Sequence, residues 1–333
     1  MTVTQIPIWL DCDPGHDDMI AILLSCFHPN FKLLGISTTF GNSSCENTTN
    51  NTLSILTKFQ KTGIPVYQGW KVPLIKKPSF APSIHGKSGL AGTELPTPQT
   101  SIENPSRDDK EQIEQFYSYL KTQVEKYENE ISIVATGPLT NIGNFFQKYP
   151  DLKEKVKFVS IMGGGIEISN WKAGEFNIWC DPHSANFIFQ DPIIAPKTIL
   201  LPIDVTHTAI LSESVEKRIL NEPNTTPLRK MLYELMVFFK DTYVKEQGFV
   251  DGPPIHDPLA VIVLLEEYGV ENMGIESIRY QLDTVEEGEL EGKLEYKPND
   301  RGVKVVTKLD IEKFWEIILK VITIADGDHA VEC

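Results

Sequence analysis

Short apolar runs alternate with stretches of helical pattern along most of the chain. Each run is followed by polar or turn-forming residues, and the runs cover residues 6–10, 33–40, 131–135, 158–162 and 198–203. Continuous apolar runs of this length are typical of strands buried on both faces of a parallel sheet. Apolar residues recur at helical spacing between the runs, at residues 19–27, 48–60 and 112–127. The alternation predicts a mostly parallel, doubly wound α/β fold.

Two regions depart from this alternation. Residues 72–107, which we name the flap, are rich in Pro, Ser, Gly and Thr and show little periodicity. Irregular loops of that length are usually functional or disordered, so we expect the flap to cover an active site. Residues 213–247, which we name the cap, are helical in pattern and rich in Leu, Met and Phe. The cap either covers the same site or is a plain packing layer, and we expect one domain over residues 1–333.

Composition narrows the classes of partner. A formal net charge of -15 over 333 residues would repel a nucleic-acid backbone, whereas a small molecule or a divalent cation is compatible with it. The five cysteines, the last of them Cys333, include no CxxC pair, which favours reduced thiols in the cytoplasm or the nucleus. Residues 1–5 lack the features of a secretory signal, and no apolar run is long enough to cross a bilayer. We therefore expect neither a nucleic acid nor a membrane as partner.

The end of the first predicted strand carries four carboxylates within eight residues, at Asp11, Asp13, Asp17 and Asp18. Asp17 and Asp18 follow a Pro-Gly turn and fall at the start of a helix, where the helix dipole favours negative charge. No Lys or Arg lies nearby in sequence, and like charges this close raise one another's pKa unless a cation intervenes. Ca²⁺ or Mg²⁺ suits such oxygen ligands, and ligands bind beyond the carboxyl ends of parallel strands. A solvated turn that merely caps the helix is the alternative, and four acids fit it poorly.

Other predicted strand ends carry groups of matching chemistry. They offer side-chain amides, a turn carbonyl, close approach at glycines, and a further acid beside a histidine, at Asn42, Thr136, 163–165, 175–177, His256 and Asp257. Each is a weak signal alone, because Asn42 could be a turn residue, His256 a structural histidine and Asp257 an ordinary helix N-cap. Their recurrence at one edge of the predicted sheet favours a shared site.

Taken together, these segments resemble the nucleoside hydrolase family of the inosine–uridine preferring type. The matching segments follow the family's order and are residues 11–18, 38–42, 84–86, 135–141, 162–164, 175–178, 181–182 and 256–258. The first of them, Asp-x-Asp-Pro-Gly-x-Asp-Asp, is highly specific. Within the family, the chain is most similar to the fungal uridine nucleosidases. The resemblance implies a Rossmann-like nucleoside hydrolase fold, hydrolysis of ribonucleosides, and a homodimer or homotetramer.

The resemblance also implies a calcium site. Ca²⁺ would be bound by the carboxylates of Asp13, Asp18 and Asp257 and by the backbone carbonyl of Thr136. Asp13 would in addition act as the general base, and Asp11 would support these ligands from behind.

Substrate contacts follow from the same resemblance. The residues that would bind ribose hydroxyls are Asp17, Asn42, Asn170, Glu175 and Asn177. Those that would pack near the sugar are Met162 and Phe176. His85 and His256 match the pyrimidine-type pattern, and Tyr243 and Gln247 on the cap are candidate base contacts.

These residues suggest a mechanism. N-ribosides cleave through an oxocarbenium-like transition state, as O-glycosides do. We hypothesise that a Ca²⁺-bound water loses its proton to Asp13 and attacks the sugar, while His256 and His85 assist the departing base. Uridine, hydrolysed to uracil and ribose in nucleoside salvage, is the expected substrate.

Two other interpretations stay open. Mg²⁺-dependent phosphatases of the haloacid dehalogenase type also place Asp-x-Asp after their first strand. They carry Thr or Val where this chain has Gly15, and their downstream Gly-Asp-x-x-x-Asp element is missing from the sequence. A non-catalytic, Ca²⁺-dependent nucleoside-binding protein would keep the same residues without turnover.

Overall fold

One sheet of nine strands runs through residues 5–329, the part of the chain that the computed structural model describes. Residues 1–4 of the segment inspected for a secretory signal, and Cys333, lie outside the described residues. The strands are Ile6–Cys12 (β1), Phe31–Thr38 (β2), Val66–Gln68 (β3), Ser132–Ala135 (β4), Phe158–Met162 (β5), Thr198–Leu201 (β6), Glu276–Thr284 (β7), Leu294–Pro298 (β8) and Val303–Lys308 (β9).

Helices connect and cover these strands. They are His16–Phe27 (α1), Cys45–Lys58 (α2), Pro82–His85 (α3), Asp109–Lys126 (α4), Thr140–Lys148 (α5), Phe176–Cys180 (α6), Pro182–Gln190 (α7), Ile203–Thr206 (α8), Glu213–Leu220 (α9), Pro227–Gln247 (α10), Pro258–Glu267 (α11) and Ile311–His329 (α12). Within residues 5–329, none of the helices combines the length and apolar character that a bilayer crossing requires.

The strand order is β3-β2-β1-β4-β5-β6-β9-β7-β8. Neighbouring strands from β3 to β9 run parallel, and β7 is antiparallel to both β9 and β8. The predicted mostly parallel α/β fold is therefore confirmed. The chain moves outward from β1 to β3 on one side and from β4 to β6 on the other, so the order reverses between β1 and β4. Ligands of open α/β sheets bind at such a switch point.

Helices on both faces explain why β1 is a continuous apolar run. Ile8 and Leu10 pack in the apolar cluster that contains α1 and α11. Trp9 faces the other way and stacks on Phe116 of α4, with ring centroids 6.0 Å apart. All seven residues of β1 are buried, so its polar end, Asp11 and Cys12, is buried as well. The burial of Asp11 follows from the position of β1 in the middle of the sheet.

The C-terminal hairpin is the main element that the sequence analysis did not predict. In β7 the residues before Leu282 are exposed or half-buried, and most of β8 is exposed. Because this hairpin forms the edge of the sheet, it lacks the apolar run that marks a strand covered on both faces. The helix predicted at residues 19–27 also begins earlier, at His16.

The flap and the cap pack against each other. The flap is irregular apart from α3, and the cap consists of two helices, α9 and α10, rather than one. Thr242 of α10 donates a hydrogen bond to the carbonyl of Ile84 in the flap, at 2.9 Å. On its inner side α10 buries Leu235 and Phe239 completely in the main core. The cap is therefore a packing layer along most of its length, and only its C-terminal end reaches the cavity described next.

Candidate active site

A cavity of about 210 Å³ lies at the carboxyl edge of the sheet. Predicted site residues line it: Asp17, Asn42, His85, Thr136, Met162, Asn170, Glu175, Phe176, Asn177, Tyr243, Gln247, His256 and Asp257. Asp13 and Asp18 are fully buried behind its wall. The structure therefore brings together groups that are up to 240 residues apart in sequence, from Asp17 to Asp257.

Three carboxylates converge at this cavity. Asp17 and Asp18 occupy the first turn of α1, and Asp257 directly precedes α11 without a capping hydrogen bond from its side chain. One carboxylate oxygen from each lies within 4.8 Å of those of the other two, and all three residues are buried. The family resemblance implies that Asp17 binds the sugar and Asp13 the metal, whereas the group that the geometry defines contains Asp17 and not Asp13.

Asp13 is held beside this group by one of its two carboxylate oxygens. Its Oδ2 accepts a hydrogen bond from the backbone N–H of Asn42 at 2.7 Å. Its Oδ1 is buried and has no hydrogen-bond partner among residues 5–329. A Cβ atom at Gly41 would lie 2.0 Å from Oδ2, and one at Gly137 would lie 2.7 Å from Oδ1. The two glycines therefore allow the backbone to close around a carboxylate that keeps one free oxygen.

Asp18 accepts hydrogen bonds through both of its carboxylate oxygens, whereas Asp11 accepts them through Oδ1 only, and its Oδ2, like Oδ1 of Asp13, is buried without a partner among residues 5–329. Asp18 accepts hydrogen bonds from the Thr136 hydroxyl at 2.8 Å and from the backbone N–H of Gly15 at 2.9 Å. Asp11 does not line the cavity, and its Oδ1 accepts from the Asn141 amide at 2.7 Å and from the Ser37 hydroxyl. Through these hydrogen bonds, Asp11 fixes the end of β1 outside the cavity lining.

Burial makes the ionised forms of these acids costly. It raises the pKa of Asp17 to about 7, with the neighbouring Asp18 adding to the rise. Burial also raises the pKa of Asp13 and of Asp257 well above the usual range, and nearby aspartates raise both further. A bound cation removes this penalty, because opposite charge favours the ionised carboxylate.

The donor set fits a hard divalent cation. Carboxylate oxygens and a turn carbonyl are the ligands that Ca²⁺ and Mg²⁺ accept. Thr136 lines the cavity, its carbonyl accepts one hydrogen bond from Asn177, and the unpartnered Oδ1 of Asp13 supplies a buried anionic oxygen. None of the described residues that line the cavity is a lysine or an arginine, so no side chain there neutralises the carboxylates.

A second group of polar residues, Glu175 and Asn177, also lines the cavity. Glu175 caps α6, and its carboxylate accepts from the backbone N–H groups of Gly164 at 2.8 Å and Asn177 at 2.9 Å. The Asn177 amide donates to the carbonyl of Thr136 at 2.9 Å and to that of Met162 at 3.3 Å. These hydrogen bonds hold the side chains of Glu175 and Asn177 in fixed orientations, as recognition of a polyhydroxyl group requires.

Histidines lie at the end of the cavity that faces the cap. The Nε2 atom of His256 is 3.0 Å from the Tyr243 hydroxyl, and its Nδ1 is 2.7 Å from the Thr206 hydroxyl. Burial lowers the pKa of His256 well below its usual range, and it does the same for His85. Both rings are therefore neutral at physiological pH, and His256 is linked to two hydroxyl groups.

Sequence reasoning missed several lining residues. They are Ala81, Ser83, Ile84, Trp171 and Glu246. Trp171 packs edge-on against Phe176, with ring centroids 5.0 Å apart, and its only signal in the sequence is an aromatic residue in a polar loop. Asn170 lines the cavity, and its side-chain oxygen has no partner among the described residues.

Carboxylates that can hold a divalent cation, placed beside a small cavity at the switch point of a parallel sheet, define a metal-dependent hydrolase of small molecules. The comparisons with known proteins agree with this class. The sequence profile of the inosine-uridine preferring nucleoside hydrolases matches residues 8–316, and the chain belongs to this family. Nucleoside hydrolases of this family are N-glycosyl hydrolases and depend on a metal ion.

Individual relatives cover most of the chain. The uridine nucleosidase of Saccharomyces cerevisiae is 46% identical, over 98% of this chain and 98% of its own. The pyrimidine-specific ribonucleoside hydrolase RihA of Klebsiella pneumoniae is 37% identical, over 78% of this chain and 80% of its own. The solved structure of a purine-preferring ribonucleoside hydrolase from Gardnerella vaginalis has a TM-score of 0.82 at 26% identity and covers 96% of this chain and 99% of its own.

Proposed function

We propose that the protein hydrolyses the N-glycosidic bond of pyrimidine ribonucleosides, with uridine as the preferred substrate. The convergence of Asp17, Asp18 and Asp257 on a cavity without lysine or arginine carries this proposal. Such a cavity admits a neutral, hydroxyl-rich molecule beside a cation and disfavours a phosphate group. The same observation argues against the phosphatase interpretation.

The relatives support the pyrimidine preference. Identity is 46% to the uridine nucleosidase and 37% to the pyrimidine-specific hydrolase, against 26% to the purine-preferring structure. His85 and His256, the residues of the pyrimidine-type pattern, both line the cavity.

We further propose that the metal is Ca²⁺. Asp17, Asp18 and Asp257 would hold it, together with the Thr136 carbonyl and the free Oδ1 of Asp13. Ca²⁺ accepts six to eight oxygen ligands in flexible arrangements, whereas Mg²⁺ demands a near-ideal octahedron. When bound, the cation lowers the pKa of a coordinated water, and Ca²⁺ does so only mildly, so a carboxylate base is still needed.

Asp13 supplies that base. Its Oδ1 accepts no hydrogen bond from the described residues, so one lone pair of this oxygen would hold the cation and the other is available for the proton of the attacking water. Glu175 and Asn177, which line the cavity, would bind the ribose hydroxyls and so orient the anomeric carbon towards that water. The surrounding carboxylates favour the positive charge that develops on the sugar. Orientation of this kind lowers a barrier by several kcal/mol, up to about 7–11 in the best cases.

The departing base is assisted by His256 and Tyr243. Because His256 is neutral and hydrogen-bonded to the Tyr243 hydroxyl, the pair can donate a hydrogen bond to a base that leaves with its electrons. Uracil forms a fairly stable anion, so a hydrogen bond contributes most of the assistance it requires.

His256→Ala is expected to lower kcat on uridine by about 10- to 100-fold, the value of one lost hydrogen bond to a charged group. The deficit should be smaller on 5-fluorouridine, whose base is the better leaving group. His207→Ala is the matched control, because His207 packs 5.4 Å from the His256 ring and does not line the cavity. A kcat on uridine that His256→Ala leaves intact would remove His256 from the reaction.

A reducing-sugar assay over uridine, cytidine, inosine and uridine 5′-monophosphate tests the proposed function. We expect ribose release to be fastest from uridine and slower from inosine. We expect no reaction with the monophosphate, because the carboxylates that line the cavity repel its negatively charged phosphate. Uridine binding in calorimetry without any sugar release would instead support the non-catalytic nucleoside-binding protein. Release of phosphate from p-nitrophenyl phosphate would support the phosphatase.

A further inference from the structure

Asn51 is a buried residue of α2 that does not line the cavity. Its side-chain nitrogen lies 3.1 Å from the carbonyl oxygen of Pro14 and 3.0 Å from that of Ser88. Carbonyl oxygens can only accept, so the NH₂ group of the amide faces them and donates one hydrogen to each. One side chain therefore joins the turn between β1 and α1 to the flap.

The carbonyl of Pro14 belongs to a peptide group that also holds one of the three converging carboxylates. The N–H of the same peptide group, which is that of Gly15, donates to Oδ2 of Asp18 at 2.9 Å. The Asn51 amide, this peptide group and Asp18 therefore form a chain of two hydrogen bonds. Hydrogen bonds on the two sides of one peptide group polarise each other, so the positions of the amide and the carboxylate depend on each other.

The carbonyl of Ser88 belongs to the turn of the flap that follows His85. Within this turn the N–H of Gly89 donates to the carbonyl of Gly86 at 3.1 Å. Gly89 adopts a φ of +83°, and a Cβ atom there would lie 3.2 Å from Nδ2 of Asn51. Since His85 lines the cavity, the amide of Asn51 anchors the part of the flap next to the cavity wall.

A neighbouring side chain holds the flap without reaching the turn between β1 and α1. Asn47 lies one helical turn before Asn51, and its amide donates to the carbonyl of Lys87 at 3.3 Å and to the hydroxyl of Ser43 at 2.9 Å. Neither of these contacts leads to the carboxylates. Asn47 and Asn51 therefore separate anchoring of the flap from linkage of the flap to the carboxylates.

We propose that Asn51 is a positioning residue that couples occupation of the cation site to the closed position of the flap. A cation held by the three-carboxylate group restricts the Asp18 side chain. That restriction passes through the peptide group of Pro14 and Gly15 to the Asn51 amide, which then holds Ser88 in place. Coupling between two sites is reciprocal, so a closed flap also favours the bound cation. The inference rests on the proposed function, in which these carboxylates hold the cation.

Amide hydrogen exchange measures this coupling without any activity. The probes are flap amides that donate hydrogen bonds within the flap, those of Gly86, Gly89 and Ala91, followed in the full-length protein after chelation and with saturating Ca²⁺. We expect Ca²⁺ to slow their exchange in the wild type. Asn51→Leu keeps a similar volume but donates no hydrogen bond. The slowing by Ca²⁺ should be about tenfold smaller in this variant, as loss of one buried hydrogen bond implies.

Calorimetry with Ca²⁺ supplies the reciprocal measurement. Asn51→Leu should bind Ca²⁺ about tenfold more weakly than the wild type, because the coupling is the same in both directions. Asn47→Leu is the matched control. Its flap amides should exchange faster both with and without Ca²⁺, while the slowing by Ca²⁺ and the affinity for Ca²⁺ stay as in the wild type.

Thermal melts verify that the variants are folded. If Asn51→Leu does not fold, Asn51→Ser takes its place, because a hydroxyl can donate to only one of the two carbonyls at a time. With this variant we expect the same direction of change in exchange and in affinity.

Three results would overturn the inference. They are a wild-type flap whose exchange Ca²⁺ leaves unchanged, a folded Asn51 variant that keeps the full effect of Ca²⁺, and an equal loss of that effect in Asn47→Leu. The proposed function fails separately. If no nucleoside is hydrolysed while Ca²⁺ still slows exchange through Asn51, the reaction is wrong and the role of Asn51 stands.

Discussion

Asp13→Asn is expected to lower kcat on uridine by about 10²- to 10⁴-fold, the range of a lost general base, with a much smaller change in KM. The amide matches the carboxylate in size but cannot take a proton from water. In the wild type the backbone N–H of Asn42 donates to Asp13 at 2.7 Å. The amide oxygen of the variant can accept the same hydrogen bond, so the backbone around residue 42 should keep its conformation. Ribose release under saturating uridine measures the effect, and calorimetry with Ca²⁺ separates loss of the base from loss of the metal.

Asp11→Asn is the matched control for this variant. Asp11 is also a buried aspartate at the end of β1 with one unpartnered oxygen, but its Oδ1 accepts hydrogen bonds from Ser37 and Asn141, and we propose no contact between Asp11 and the cation. Its replacement should affect stability more than kcat. If Asp13→Asn binds Ca²⁺ normally and turns over within tenfold of the wild type, then Asp13 is not the base and another group activates the water.

Complete removal of the metal is expected to abolish measurable hydrolysis of uridine. The cation contributes several kcal/mol to stabilising charge in the transition state, which corresponds to a factor of at least about 10². Added Ca²⁺ should restore the activity more fully than Mg²⁺ at equal concentration. Undiminished turnover in thoroughly chelated protein would contradict the role of the carboxylate group.

Removal of the metal should also change how the free energy of unfolding depends on pH. Burial raises the pKa of Asp11 and of Asp17 to about 7 in the metal-free fold, against 3.8 ordinarily. A raised carboxyl pKa stabilises the fold at low pH, and this contribution is lost as pH rises towards about 7. The free energy of unfolding of chelated protein should therefore fall between about pH 5 and 7, by up to about 1.4 kcal/mol per pH unit for each such carboxyl.

Thermal unfolding with chelator and with saturating Ca²⁺ tests this pH dependence. The cation favours the ionised carboxylates, so the decline with rising pH should be much smaller in loaded protein, and the stabilisation by Ca²⁺ should increase with pH. If stability depends on pH in the same way with and without Ca²⁺, the ion does not interact with these carboxylates.

The parts of the site that the sequence predicts share a physical cause. Carboxyl ends of parallel strands meet at one edge, so placing Asp17 and Asp18 after β1 and Thr136 after β4 was enough to place them together. Asp257 followed from a Pro-started apolar helix, which the structure confirms as α11. Strand and helix positions were recoverable because elements covered on both faces have continuous apolar patterns.

The rest depends on contacts that no local pattern encodes. His16 and His85 are 69 positions apart and meet through ring nitrogens. Trp171 reaches the cavity because its loop folds back through the backbone pairing of Trp171 with Gly174. The β7–β8 hairpin was not predicted, because a hairpin at the edge of the sheet exposes one face and therefore lacks a continuous apolar run. Whether Asp17 contacts metal or sugar likewise depends on distances of an ångström or two, which residue order does not specify.

The order of strands also has a consequence for synthesis on the ribosome. β9 pairs with β6, yet α8 to α11 and the β7–β8 hairpin are made between them. Until β9 emerges, a nascent chain therefore presents the unpaired, apolar edge of β6, the kind of edge that recruits other chains. The group of three carboxylates is also incomplete until the ribosome has added Asp257. We expect the growing polypeptide to depend on chaperone protection until late in translation, and to acquire its ion only near release.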